Sequence, residues 1–317
     1  MRAPLDYPQR VRVALLAGGT GGTKLAHGFA QVLGPGELSV IANVGDDFEL
    51  HGLHVAPDID ALLYTLSGLI DADRGWGARG DTFTAHGMLE RYGAPGWFRV
   101  GDADLATHVE RTRLMRAGAS LTDATGAMAA ALGIGARILP ATDDRVPTRI
   151  ETDAGTLDFQ DYFVRLRQEP EVRGVRFEGV ESARPPVAAM EAIRAADLLV
   201  IGPSNPIVSI GPILEVPGLR ESFASASGLK VAVSPIVAGR ALKGPADRML
   251  TSLGHESSAL GVARLYAGLI DRFVLDDADA GLAPQVEALG MVALALPTVM
   301  RSDADRGELA RALTLLT

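Results

Sequence analysis

The strongest constraint on the fold is an apolar, β-branched run that leads directly into a glycine-rich loop. VRVALLA (11–17) is typical of a buried parallel strand. It runs into AGGTGGTKLAHG (17–28), where we expect a helix to begin near Thr23. LSVIAN (38–43) predicts a second buried strand, and a helix is expected over about 58–68. This β-α-β opening predicts an α/β fold with a parallel sheet.

Further strands and helices alternate along the rest of the chain. The apolar runs that predict strands are ARILPAT (136–142), DLLVIGPSNP (197–206) and LKVAVSPIV (229–237). We therefore expect a Rossmann-like, doubly wound, mostly parallel sheet formed by residues 1–100 and 186–317. Between them, residues 101–185 read as helices followed by paired strands, which predicts a smaller inserted α+β subdomain. Ser120, with Asp123, and Ser302 are expected to cap helices.

Composition excludes several classes of protein. A net charge of -9 disfavours a general nucleic-acid or anionic-membrane binder, because either would need an excess of Lys and Arg. The chain has no cysteine, which removes disulfides, thiolate nucleophiles and iron–sulfur clusters. MRAPLDYPQR (1–10) lacks the apolar core of a signal peptide, and no apolar run reaches the roughly 18 residues of a membrane span. We expect a cytoplasmic protein.

The glycine-rich loop is the first candidate binding site. Glycines let a backbone approach a phosphate closely, and the N-terminus of the following helix offers free amides. The loop matches neither G-x-G-x-x-G nor the P-loop, so neither fingerprint applies. A turn that needs glycine only for tight packing is the alternative. Lys24 either contacts a phosphate or is solvated.

The second candidate is NVGDDFELHGLHVAPDID (43–60), which directly follows the second strand. Ligands bind at the carboxyl ends of strands in open α/β sheets, so this segment and the glycine loop are expected to face one crevice. Asp46 and Asp47 suit Mg²⁺ bound together with a diphosphate. Alternatively, they cap a helix or form Asx turns. His51 and His54 have no companion residues at zinc spacing.

Two later loops add polar groups at strand ends. IGPSNPIVSIGPIL (201–214) supplies three possible donors to a phosphate or base, namely Ser204, Asn205 and Ser209. SPIVAGRALKGPADRM (234–249) places Arg240 and Lys243 beside glycines, where they suit a diphosphate. An ordinary proline turn and surface solvation are the alternatives. No G-x-S-x-G elbow is present, so direct displacement at phosphorus is favoured over a covalent intermediate.

These segments together resemble the 2-phospho-L-lactate transferases, or CofD family, of deazaflavin coenzyme biosynthesis. The resemblance spans nearly the whole chain and includes GWGARGDTF (75–83), WFRVGDADLATHVERTRLMRAG (97–118) and LPATDDRVPTRI (139–150). It implies a Rossmann-like dimer that uses Mg²⁺. It also implies transfer of a phospholactyl or phosphoenolpyruvyl unit from a GTP-derived guanosine diphosphate conjugate. The acceptor would be the ribityl hydroxyl of 7,8-didemethyl-8-hydroxy-5-deazariboflavin, with release of GMP.

The resemblance also implies roles for individual residues. Asp46 and Asp47 would hold the metal or the ribityl end of the acceptor, and they are the expected catalytic residues. The expected contacts to the donor nucleotide are Gly18, Gly19, Gly21, Gly22, Ser204, Asn205 and Ser209. Thr84 or His86 would belong to the acceptor pocket. Lys24, Asn43, His51 and Lys243 are also assigned to substrate binding.

One position departs from the family pattern. Family members often carry a cation between the carboxylates of the GD-x-DLATH segment, whereas this chain has Ala103 there. If that cation binds a ligand in relatives, this chain must replace it. The sequence does not distinguish among phospholactyl, phosphoenolpyruvyl and phosphoglyceryl donors.

Two other functions compete with this one. A non-catalytic nucleotide-sugar binder would share the glycine-rich start and the Gly-Pro loop, but the complete 43–60 segment and GDADLATH favour the transferase. A Rossmann oxidoreductase is disfavoured by the missing G-x-G-x-x-G. Its second strand would also end in a single ribose-binding acid, whereas here Asn43 precedes a glycine and two carboxylates.

Overall fold

The computed structural model describes residues 10–317, so the expectation drawn from the first ten residues lies almost wholly outside them. The strands are β1 (Val13–Ala17), β2 (Leu38–Ala42), β3 (Phe48–Leu50), β4 (Leu53–Val55), β5 (Arg137–Pro140), β6 (Thr148–Thr152), β7 (Gly155–Asp158), β8 (Val172–Phe177), β9 (Leu198–Ile201), β10 (Leu229–Val233), β11 (Ile236–Val237), β12 (Arg240–Ala241), β13 (Arg272–Asp276) and β14 (Val292–Leu296). Within residues 10–317, no helix is both long and apolar enough to span a membrane.

The helices are α1 (Gly19–Val32), α2 (Pro57–Leu66), α3 (Thr84–Arg91), α4 (Asp102–Arg116), α5 (Leu121–Ala131), α6 (Val187–Ala195), α7 (Gly211–Glu215), α8 (Leu219–Ser225), α9 (Ala246–Ser252), α10 (Ala259–Leu265), α11 (Ala283–Glu287) and α12 (Asp303–Thr314). Short π-helical turns cover Asp161–Arg165 and Pro206–Ile210, and 3₁₀ turns cover Val180–Ser182 and Asp277–Leu282.

Seven parallel strands form the central sheet, in the order β14-β13-β10-β9-β1-β2-β5. The chain therefore runs outward from β1 to β5 and then returns to β9 beside β1, as in a Rossmann fold. The predicted α/β, doubly wound sheet is confirmed. The switch point between β1 and β9 is the place where such sheets bind ligands.

Both faces of the central sheet are buried, which explains why its strands are almost continuously apolar. Alternate residues of β1 face opposite sides. Leu15 packs in one core with Phe29 of α1, whereas Leu16 packs in the other with Phe223 of α8. Helices α1, α2, α5 and α12 cover the first face, and helices α6, α7, α8 and α10 cover the second.

The first helix begins at Gly19, so the expected start near Thr23 is wrong. Most of the glycines lie in the first turn of α1 rather than in a preceding loop. Because these glycines have no side chain, the first turn of the helix can pack closely on the segment after β9. A Cβ atom on Gly21 would lie 1.9 Å from the carbonyl oxygen of Pro203.

The segment predicted as an inserted subdomain divides between two sheets. β6 lies between β7 and β8 in a separate three-stranded antiparallel sheet, which spans residues 148–177. In contrast, β5 pairs with β2 as an edge strand of the central sheet. Residues 101–185 therefore do not all lie outside the core, and their boundaries as a domain stay a prediction.

Candidate active site

Three strand ends meet at the switch point of the central sheet. Gly18 follows β1, Asn43 follows β2, and Ser204 lies three residues beyond β9 with a glycine and a proline between. The Gly18 backbone N–H donates to Ser204 Oγ at 3.4 Å. A Cβ atom on Gly18 would lie 2.9 Å from Asn43 Cβ and 2.7 Å from Asp58 Oδ2. The structure thus brings together residues from three sequence motifs at the expected crevice.

Asn43 is fully buried and joins two carboxylates. Its Nδ2 donates to Asp46 Oδ1 at 3.0 Å and to Asp58 Oδ2 at 2.9 Å. Its side-chain oxygen accepts from the Gly45 backbone N–H at 2.8 Å, which fixes the amide orientation. One side-chain amide therefore joins the loop after β2 to the start of α2.

The two carboxylates bound to Asn43 are hard to ionise together. Burial raises the pKa of Asp46 well above its usual range, and the nearby Asp58 raises it further. Burial also raises the pKa of Asp58 to about 6, although hydrogen bonds from Asn43 and Gly19 act in the opposite direction. Such a pair is relieved by a proton or a cation, and perturbed carboxylates of this kind are typical of functional sites.

Asp47 points one oxygen at His54 and leaves the other without a partner. Asp47 Oδ2 lies 3.1 Å from His54 Nε2. Asp47 Oδ1 is buried and receives no hydrogen bond from residues 10–317. Burial raises the pKa of Asp47, and His54 opposes that rise. An unpartnered buried carboxylate oxygen is costly unless a ligand binds it.

The small antiparallel sheet supports the loop that carries these acids. The Thr148 backbone N–H donates to the Gly45 carbonyl at 2.8 Å. Gln160 Nε2 donates to the Asp46 carbonyl at 3.3 Å. The loop after β2 is therefore bound by the second sheet as well as by Asn43.

The glycines of the first turn differ in what they contact. The Gly19 backbone N–H donates to Asp58 Oδ1 at 2.6 Å. A Cβ atom on Gly22 would lie 2.6 Å from Ser204 Oγ, and one on Gly21 would clash with Pro203. Gly21 and Gly22 therefore allow close packing of α1 on the segment after β9, which is the alternative considered from sequence. Their predicted contact with the donor stays a prediction.

The three predicted residues after β9 have different surroundings. Ser204 and Ser209 are buried beside Gly18. Asn205 Oδ1 instead caps the turn Pro206–Ile210 by accepting from Ile207 N at 2.9 Å.

Lys24 Nζ donates to the Met300 carbonyl at 2.9 Å, and burial lowers its pKa, as do Arg306 and Lys243. Lys243 is exposed and lies against Gly75, since a Cβ atom there would be 2.7 Å from Lys243 Nζ. The effect of Lys243 on the pKa of Lys24 indicates that the two positive charges act on each other.

The two residues expected in the acceptor pocket, Thr84 and His86, lie on α3, and His51, expected to bind substrate, lies in the β3–β4 hairpin. His51 and His86 line the same small cavity, together with Leu50, Leu53, Leu89, Val100, Leu105 and His108. Thr84 is exposed, and its backbone N–H donates to Asp102 Oδ2 at 3.2 Å. Ala103 is exposed in the first turn of α4, where its backbone N–H donates to Asp81 Oδ1 at 2.8 Å.

Several residues of the site carried no assigned role in the sequence interpretation. Asp58 was recognised only as a possible helix start, yet it contacts both Asn43 and Gly19. The PDID motif that follows a buried strand and a GDD segment was the available signal. Thr148 of β6 and Gln160, which follows β7, are each more than 100 residues from the loop that they contact, and no local pattern marks them.

The sequence model described as "2-phospho-L-lactate transferase CofD" matches residues 13–290. The chain belongs to the CofD family. A phosphoenolpyruvate transferase of Streptomyces griseus is 44% identical over 92% of this chain and 93% of its own length. A 2-phospho-L-lactate transferase of Methanosarcina mazei is 40% identical over 93% of this chain and 97% of its own.

Membership of the CofD family makes the chain a transferase, and the crevice at the switch point is its candidate active site. A solved structure supports the fold independently. A UPF0052-family protein from Bacillus halodurans has a TM-score of 0.63 and 17% identity, over 97% of this chain and 99% of that protein.

Proposed function

We propose that this CofD-family protein moves a phospholactyl or phosphoenolpyruvyl unit from a guanosine diphosphate conjugate to the ribityl hydroxyl of 7,8-didemethyl-8-hydroxy-5-deazariboflavin. The observation that carries the proposal is the cluster of Asn43, Asp46 and Asp58 beside the first turn of α1. Its carboxylates lie at the switch point of the sheet, where a diphosphate and an acceptor alcohol can meet. The names of the relatives from Streptomyces griseus and Methanosarcina mazei support the two donor units.

The reaction is a displacement at the phosphorus that carries the three-carbon acid. The ribityl oxygen forms a new P–O bond, and the bond from that phosphorus to the bridging oxygen breaks. GMP leaves with the bridging oxygen, and the hydroxyl proton passes to a base. Asp46 is our candidate for that base, because it lies at the switch point, where burial raises its pKa and so makes it a stronger base than an exposed carboxylate.

The acidic residues fit a magnesium ion. Mg²⁺ prefers oxygen ligands and takes only one or two protein carboxylates alongside substrate phosphates. The unpartnered Asp47 Oδ1 would supply one such ligand, which leaves Asp46 as the base. Among residues 10–317, no group of three or more His, Cys, Asp or Glu side chains is arranged to hold a metal by itself. When bound, the ion would neutralise charge on the diphosphate.

The remaining predicted residues divide between the two substrates. We assign the donor to the region around Gly18, Gly19, Ser204 and Ser209, with Lys24 and Lys243 nearby as cations for the diphosphate. We assign the acceptor to the side of α3 and the β3–β4 hairpin, where His51 and His86 share a cavity. For Thr84, Asn205, Gly21 and Gly22, the proposed substrate roles rest on the family resemblance alone.

We also propose that the protein works in the cytoplasm as a homodimer. Both proposed substrates, a nucleotide conjugate and a coenzyme precursor, are small molecules of the kind made inside cells. The proposal of a dimer rests on the family resemblance. Size-exclusion chromatography with light scattering tests it directly, since a dimer has twice the 33.2 kDa mass of the chain.

The proposed reaction is tested by incubating purified protein with Mg²⁺, the deazaflavin and, separately, the lactyl, enolpyruvyl and glyceryl guanosine diphosphate conjugates. Mass spectrometry of the deazaflavin then identifies the unit gained. We expect a mass increase with the lactyl or the enolpyruvyl conjugate. No product from any donor, with nucleotide binding retained, would favour a nucleotide-binding protein without transferase activity.

A further inference from the structure

His54 lies between helix α4 and the acidic loop. Its ring contacts Asp47, because His54 Nε2 is 3.1 Å from Asp47 Oδ2. Both of its backbone polar groups are bound by α4. The His54 N–H donates to Thr112 Oγ1 at 2.8 Å, and the His54 carbonyl accepts from Arg111 Nη1 at 3.3 Å. The position of this histidine is therefore set by α4.

Helix α4 is itself anchored in the core of the protein. Arg111 is completely buried and forms an ion pair with Asp60 of α2. His108, one turn earlier on α4, places Nε2 3.3 Å from the other Asp60 oxygen. Thr112 Oγ1 also donates to the His108 carbonyl at 2.7 Å, which orients the hydroxyl toward His54. Three consecutive contacts, Asp60–His108, His108–Thr112 and Thr112–His54, thus connect the core to the backbone of His54.

The ring of His54 determines which Asp47 oxygen is free to bind a ligand. Nε2 must carry a proton to donate to Asp47 Oδ2, so that oxygen is occupied. Asp47 Oδ1 remains buried and unpartnered, and the Asp47 side chain is only 9% exposed. A carboxylate held by one oxygen cannot rotate freely, which presents its second oxygen in a fixed direction.

We propose that His54 is a positioning residue, held by Arg111 and Thr112 of α4, that orients Asp47 so that Oδ1 faces the metal or substrate. This inference rests on the proposed function, because it gives Asp47 a ligand. It assigns His54 no direct contact with the reacting atoms. Hydrogen bonds of this kind to a ligand carboxylate typically change metal affinity or activity by about 10- to 100-fold when removed.

The test compares two substitutions at the same position. Gln places Nε2 as many bonds from Cα as His does, so His54→Gln keeps a donor for Asp47, whereas His54→Phe keeps only a ring. We expect His54→Phe to lower kcat and to weaken binding of Mn²⁺ by about 10- to 100-fold. We expect His54→Gln to stay within about threefold of the wild type. Mn²⁺ binding is measured by electron paramagnetic resonance on the metal-free protein.

Two controls separate positioning from folding. His255→Phe makes the same change at an exposed histidine after α9 and should leave kcat and Mn²⁺ binding unchanged. Thr112→Val removes the hydroxyl that accepts from the His54 N–H, and we expect it to lower kcat less than His54→Phe does, with wild-type secondary structure by circular dichroism.

Two results would overturn the positioning role. One is wild-type Mn²⁺ affinity and kcat in His54→Phe. The other is equal damage in His54→Gln and His54→Phe, which would mean that the imidazole acts directly. Absence of transfer by the wild-type protein would instead contradict the proposed function, and the Mn²⁺ measurement would still decide whether His54 positions Asp47.

Discussion

Asp58 Oδ1 accepts a hydrogen bond from the Gly19 backbone N–H at 2.6 Å, so the start of α2 is bound to the start of α1. The other oxygen of Asp58 binds Asn43. A carboxylate thus occupies the positive end of the first helix, which is a favourable place for an anion. Because burial raises the pKa of Asp58 to about 6, the charge on this carboxyl group changes with pH near neutrality.

We predict that the free energy of unfolding falls as the pH rises through about 6 in the absence of divalent cations. The pKa of Asp58 is raised from 3.8 to about 6 in the folded protein. The folded state therefore binds the proton more tightly than the unfolded state. The stability that this provides is complete below about pH 4 and is lost above pH 6, by on the order of 1–3 kcal/mol. Urea unfolding from pH 4 to pH 8 measures it.

Asp58→Asn supplies the comparison for this pH dependence. Removing the titrating group should make the free energy of unfolding less dependent on pH over the same range, because one of the carboxyl groups with a raised pKa is gone while Asp46, Asp47 and Asp104 retain theirs. Identical pH profiles for the wild type and Asp58→Asn would show that Asp58 does not titrate in this window.

A second prediction concerns the glycines of α1. Gly21→Ala should destabilise the protein by about 1–3 kcal/mol, because the new Cβ atom would meet the Pro203 carbonyl oxygen at 1.9 Å. Gly126→Ala is the matched control, since Gly126 lies inside α5 with no atom near its Cβ position. It should instead stabilise by about 0.5–1 kcal/mol. Chemical denaturation of both variants checks the signs, and equal effects would contradict close packing at Gly21.

The buried ion pair between Arg111 and Asp60 gives a third prediction. Burial acts to raise the pKa of Asp60, but Arg111 and His108 outweigh it and hold the pKa below its usual range. Arg111→Met leaves that carboxylate buried without its main partner, at a cost of about 3–5 kcal/mol. Adding Asp60→Asn should recover part of the loss. A double-mutant cycle from urea unfolding measures the coupling, and strictly additive losses would argue against it.

Much of the fold could be predicted because its strands can be recognised from short apolar runs in the sequence. The runs at β1 and β9 are apolar along their whole length, and those at β2 and β10 contain one polar residue each, as is typical of strands buried on both faces. The helix caps at Ser120 and Ser302 are also confirmed, since each hydroxyl accepts from a backbone N–H three residues later. These signals depend on neighbouring residues and need no knowledge of tertiary contacts.

The start of α1 and the path of β5 could not be predicted in the same way. Gly19 begins a helix because Gly21 and Gly22 fit against the segment after β9, which is a contact between residues about 180 positions apart. β5 was read as a strand, but its pairing with β2 depends on register across the sheet. Long-range packing decided both.

Part of the candidate site followed from strand ends, and part did not. Asn43 and Asp46 were expected beside the glycine loop because carboxyl ends of parallel strands share one edge. The roles of Asp58 and His54 depend on which oxygen or nitrogen each side chain presents. Sequence spacing carries no information of that kind.

The central claim is that the Asn43–Asp46–Asp58 cluster carries out the transfer. The most direct measurement is a quantitative assay of GMP and of the phosphodiester-linked deazaflavin, made with the wild type and Asp46→Asn. We expect the wild type to form both products in equal amounts. Asp46→Asn should keep the fold, and its rate of transfer should be about 10²- to 10⁴-fold lower, as expected when a general base is removed. Wild-type rates in Asp46→Asn would show that Asp46 is not the base in this reaction.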